Sequence, residues 1–197
     1  MTTNATPPGW AEVLLRACLT SGDSDSVSGD LLEQYRESVR PARGRRRADL
    51  WYVTQVLGFV WRSARLWAAM FAIAFLARTA LDWLMPPADF HARANVSTLL
   101  GAGIVLVAAF QAAARSGSFA AGPLIGLATA AIAAPLELVG AMTLLAAWHD
   151  PITLAAIRTS GGLAEVLTLP LLMLLPGLIL GTLGGVFGAA INRLRSA

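Results

Sequence analysis

The sequence predicts an all-α integral membrane protein: a four-helix bundle preceded by a small amphipathic helical module on the cytoplasmic side. Three observations predict it. Of 197 residues, 56% are hydrophobic and only 14% are charged, whereas soluble domains carry about a quarter charged residues. Four apolar runs, residues 66–85, 97–114, 119–148 and 163–191, meet or approach the roughly 20 residues that cross about 30 Å of hydrocarbon. The basic residues are all arginine, and they are unevenly placed. Arg40, Arg43, Arg45, Arg46, Arg47, Arg62, Arg65, Arg115, Arg193 and Arg195 fall on one side of the predicted spans, and only Arg93 and Arg158 fall on the other. The positive-inside rule then puts both termini in the cytoplasm, and arginine and alanine in place of lysine and isoleucine suggest a GC-rich bacterial genome, so the expected site is a bacterial inner membrane.

The elements follow in order. Residues 1–9 are polar, contain Pro7 and Pro8, and are expected to be disordered. No basic segment leads into an apolar core there, so no cleavable signal peptide is expected and the first span serves as the insertion signal. Residues 10–47 form the cytoplasmic module. Trp10, Val13, Leu14, Ala17 and Cys18 recur at helical spacing. The SGDSDS stretch from Ser21 breaks that helix. A second helix spans about 25–40, with Val27, Leu31, Tyr35 and Val39 every four residues along one face. Asp30 and Glu33 stand at capping-box spacing, and Pro41 is expected to end the helix. Cys18 is the one cysteine, expected to be a buried, reduced thiol.

The run PARGRRR follows. Beside a membrane span, Arg43, Arg45, Arg46 and Arg47 read as a patch seated on anionic lipid, and no nucleic acid is expected. Residues 48–65 form a juxtamembrane helix with Trp51 and Trp61 at the headgroup level. It either lies on the inner surface or runs straight into the first span. Residues 66–195 then hold the four spans. Pro86 and Pro87 stop the first, and the loop is expected to reach about Val96. Asp150, Pro151 and the pair Gly161–Gly162 frame a short helix resting on the outer surface. Pro135, Pro170 and Pro176 permit kinks in the last two spans.

Charged side chains inside a bilayer usually face protein or water. Here these are Arg78, Asp82, Glu137 and Glu165, and the topology carries all four toward the outer side. Arg78 and Asp82 share a helix face. The two readings are an interhelical ion pair that fixes packing and a polar path for a proton or solute. Gly177, Gly181 and Gly185, with Gly122 and Gly126 in the third span, allow close helix contact, within the bundle or with a second copy. His91 and His149 lie beside the outer loops without ligand spacing, so no metal site is expected. No catalytic motif and no cofactor site is recognised, and the chain reads as non-enzymatic.

The segment from Ser28 to Leu57 carries Gly29-Asp30-Leu31, Glu33, Tyr35-Arg36, a basic turn, Trp51-Tyr52 and Gln55-Val56-Leu57. It resembles the prefix domains that precede some bacterial permeases of the ABC-exporter class. The resemblance implies a helical module at the inner face linked to permease function. Here four helices with short loops follow it, so permease activity does not carry over. The expected function is therefore an accessory or regulatory membrane component that docks a permease or a cytoplasmic regulator through Val27, Leu31 and Tyr35. The alternatives are a small oligomeric transporter or channel subunit and a membrane-anchored regulator of transcription.

Overall fold

The computed structural model describes residues 6–20, 22–87, 89–160 and 162–196, without the side chains of Gly162, Glu165, Val166 and Ser196. These residues are mostly helical, and no strand occurs among them. The module comprises α1 (Gly9–Cys18), α2 (Ser24–Gln34), a π-helical turn (Tyr35–Val39) and α3 (Arg40–Arg43). The long α4 (Arg45–Leu84) leads to α5 (Phe90–Ser116), α6 (Ala121–Ala147), a short α7 (Pro151–Thr159), α8 (Gly162–Leu172) and α9 (Leu174–Ser196). Four helices are long and apolar enough to cross a membrane: α4, α5, α6 and the stretch Leu167–Arg195. The chain is a multi-pass membrane protein. Residues 1–5, part of the expected disordered start, lie outside the described residues, as does Gly161 of the expected glycine stop.

Several boundaries differ from expectation, each for a physical reason. Pro41 does not end the second helix. The π turn before it, closed by the Arg40 amide on the Tyr35 carbonyl, inserts an extra residue and gives the proline ring room. The helix stops instead at Gly44, whose φ of 73° and ψ of 167° are open to glycine alone. Asp30 and Glu33 form no capping box, because α2 already begins at Ser24. The juxtamembrane helix runs straight into the first span as one 40-residue α4. The loop after it is shorter than expected: Asp89 accepts from the His91 amide at 2.8 Å and starts α5 at Phe90. The last span breaks at Met173, three residues before Pro176, whose missing N–H cannot continue the ladder.

The module is folded onto α4. Ala11, Leu15, Tyr35, Val39, Ala48, Tyr52 and Val56 form one buried cluster, with the Tyr35 and Tyr52 rings edge-on at 6.0 Å. The Tyr52 hydroxyl donates to Glu12 at 2.5 Å and the Tyr35 hydroxyl to Asp49 at 2.5 Å. Glu12 also accepts from Arg16 at 2.9 Å and from Ser28, so one carboxylate ties α1, α2 and α4 together. Burial alone would raise the Glu12 carboxyl. The hydrogen bonds from Ser28, Tyr52 and Arg16 outweigh it and hold the group below its ordinary value. Ala17 extends the contact into the bundle, packing with Ala113 and Ala121. Beside it, Cys18 is half-buried rather than buried as expected, and desolvation still pushes its thiol up to about 12, so it stays protonated.

In the bundle, α5 and α6 each pack against both α4 and α9. Helices in lipid gain little from burying apolar surface, so close approach and dispersion hold them together. A Cβ built on Gly122 would sit 2.3 Å from the Gly185 Cα, and one on Gly126 would sit 2.3 Å from the Gly177 carbonyl oxygen. Gly184 and Gly188 meet the α5 backbone in the same way, at 2.6 Å from the Leu106 oxygen and 2.4 Å from the Phe110 oxygen. The face formed by Gly177, Gly181 and Gly185 is thus filled by α6 of the same chain. Asn192 closes the near end of this packing, donating to the Ala114 carbonyl at 2.7 Å. Gly126→Ala is expected to cost about 1–3 kcal/mol in thermal unfolding of the detergent-solubilised protein, because backbone cannot yield. Gly58→Ala, with nothing within 4 Å of its Cβ, should be neutral or gain up to about 1 kcal/mol. Equal effects of the two would contradict this packing.

Candidate functional site

At the end of the bundle remote from the module, helical geometry puts Arg78 and Asp82 one turn apart on α4. The Arg78 Nε lies 3.2 Å from Asp82 Oδ2, and Asp82 is buried at 3% exposure. A third residue joins them. Arg93, in the first turn of α5, places Nη1 3.4 Å from Asp82 Oδ1. The same Nη1 donates to the carbonyls of Leu81 and Met85, each at 2.8 Å. Leu81 lies in the last turn of α4, where its carbonyl also takes the Met85 amide at 3.0 Å, and Met85 caps the helix; at this end of the helix dipole a cation is favoured. One buried carboxylate is therefore shared by two guanidiniums, and the cluster carries a net positive charge.

Arg78 stands at the junction of two spaces. One is a cavity of about 320 Å³ between α4, α5 and the α8–α9 break, walled by Phe71, Phe75, Val105, Met173 and Leu180. The other is a more open groove of about 380 Å³ along α4 and α5, bordered by Arg93, Leu81, Val96 and Leu100. Among the described residues, no acidic side chain lines either.

Glu137 does not join this cluster. It lies on the stripe of α6 that faces α4, between Ala133, which packs with Ala68 and Ala72, and Ala141, which packs with Trp83. It is 1% exposed, and neither carboxyl oxygen has a hydrogen-bond partner among the described residues. Among the described residues, one carboxylate faces two arginines, rather than the expected one arginine facing several carboxylates. The side chain of Glu165 lies outside the described residues.

The expected docking face needs correcting. Tyr35 is fully buried in the module core, and Leu31 is packed against it. Val27 is half-buried. That apolar stripe is consumed by α1 and α4. Large apolar side chains still exposed on the module are Trp10 and Val13. Arg43, Arg45, Arg46 and Arg47 are exposed, as is Trp61, while Trp51 is half-buried. Asp89 and Asp150 cap α5 and α7, and no metal-binding group of His, Cys, Asp and Glu occurs among the described residues. Arg93, Glu12 and Tyr52 were not recognised from sequence. Asp89 as an N-cap would have brought Arg93 into a helix, and a tyrosine in an apolar run signals that its hydroxyl needs a buried acceptor.

The two acids should respond oppositely to removal. Asp82→Leu strands two guanidiniums and should lower stability in detergent by about 3–5 kcal/mol. Glu137→Leu removes an unpartnered polar group and should leave stability unchanged or raise it. Thermal unfolding of the two variants decides, and a large loss in Glu137→Leu would mean that this carboxyl has a partner. Among known proteins, neither a family model, nor a curated protein, nor a solved structure matches this chain.

Proposed function

We propose that the chain is a non-enzymatic accessory or regulatory component of a bacterial inner membrane, with both termini in the cytoplasm, whose helical module engages a permease or a cytoplasmic regulator. One observation carries the reading: α4 belongs to both the module core and the bundle, so the module is held in a fixed pose at the membrane surface. A module built only to anchor would not require that. The resemblance of residues 28–57 to permease prefix segments supports the same partner class. With Leu31 and Tyr35 taken up internally, the surface left for a partner is the exposed Trp10 and Val13 of α1 together with the acidic, exposed Asp30, Glu33 and Glu37.

A second reading, a small transporter or channel subunit, is favoured by the intramembrane Arg78–Asp82–Arg93 cluster and the buried Glu137. Any assembly of copies would use lipid-facing surfaces, since α6 fills the glycine face of α9. Crosslinking in intact membranes followed by affinity purification separates the two. The accessory reading expects a permease or transcription regulator with the full chain, and at least about ten-fold less of it with Trp10→Asp/Val13→Asp, a loss typical of hot-spot residues. Membrane insertion should be unchanged. Recovery of nothing but copies of the chain would overturn it.

A further inference from the structure

The intramembrane cluster is built with more positive than negative charge, and its donors are only partly used. Arg78 spends Nε on Asp82, and its two Nη groups have no protein partner among the described residues. Arg93 spends Nη1 on Asp82 and two carbonyls, which leaves its Nε and Nη2 in the same state. A guanidinium presents five N–H donors in a planar fork that matches phosphate oxygens. Uncompensated charge at such depth is costly unless an anion arrives. Arg78 lies six residues before the end of α4, about 9 Å along the axis. That is the depth at which a lipid headgroup can reach it.

We propose that the crevice between α4 and α5 binds one anionic phospholipid, with its phosphate between Arg78 and Arg93. One acyl chain lies in the cavity of about 320 Å³ and the other along the groove of about 380 Å³. The two spaces share Ala74, Arg78 and Ser97, so charge sits where they meet and apolar wall extends from it in both directions. That is the pattern of an amphiphile. A zwitterionic lipid brings its own cation toward two arginines, whereas an acidic lipid does not. The site stands whether or not the module docks a partner.

Native mass spectrometry of the full chain with equal phosphatidylglycerol and phosphatidylcholine tests this. The first bound lipid should be phosphatidylglycerol by about five- to thirty-fold, the range for one or two arginine contacts. Arg78→Gln leaves Arg93 balanced by Asp82 and should bring the ratio near one, and Arg78→Lys should restore part of it. Ala102→Phe narrows the cavity without touching charge and should weaken lipid retention. Glycerol phosphate, which has the headgroup without the chains, should not displace the bound lipid. No preference in the wild type would overturn the site. So would a preference that survives Arg78→Gln but disappears when Arg43, Arg45, Arg46 and Arg47 are all changed to Gln, because the lipid would then be at the basic patch. Displacement by glycerol phosphate would overturn the acyl-chain part.

Discussion

A 40-residue helix is about 60 Å long, twice the hydrocarbon thickness, so roughly half of α4 must stand outside the membrane. Everything else in the structure answers to that length. The protruding half needs its own packing, and α1, α2 and the π turn supply it. From Ala48 to Ala72, the buried positions of α4 fall at Ala48, Tyr52, Val56, Val60, Ala64, Ala68 and Ala72, each four residues from the last. A step of four overshoots a helical turn by about 40°, so six steps carry the contact face about 240° around the axis. One helix can therefore meet the module on one side at its start and the bundle on another side further on.

The two halves are held by different physics. In the module, apolar burial can drive folding against water, and buried hydroxyls and a carboxylate add direction. Glu12 is the hub there, reached from Arg16, Ser28 and Tyr52. In the bundle, lipid is as apolar as the side chains, so glycine contacts between α6 and α9 and between α5 and α9 let backbones touch. The charges at the far end are an exception to that economy. Asp82 with Arg78 and Arg93 closes the turn between α4 and α5, and it leaves positive charge beside two apolar spaces.

The spans were legible because length and hydropathy report directly on the bilayer, and the glycine spacing showed which helix faces approach closely. The cap at Asp150 with Pro151 was legible too, since both are local signals. What lay beyond reach is non-local. Val27, Leu31 and Tyr35 form an apolar stripe whether the covering surface is a partner or α1 and α4, and a pattern cannot tell these apart. The overrun past Pro41 depends on a π turn that has no sequence mark. Arg93 looked like a loop charge because Asp89 was not read as a cap, and its role rests on carbonyls of another helix. Glu137 looked like a partner for Arg78 because depth along a helix was visible and direction was not.

If α4 makes module and bundle one body, the distance between them is fixed in a lipid bilayer. The direct measurement uses spin labels on Glu33→Cys and Leu194→Cys in a Cys18→Ser background, reconstituted in vesicles and read by double electron–electron resonance. A single narrow distance distribution is expected, broadening when Tyr52→Ala opens the module core. A broad or two-peaked distribution in the otherwise unaltered protein would contradict it, showing a module tethered to the bundle rather than built on it.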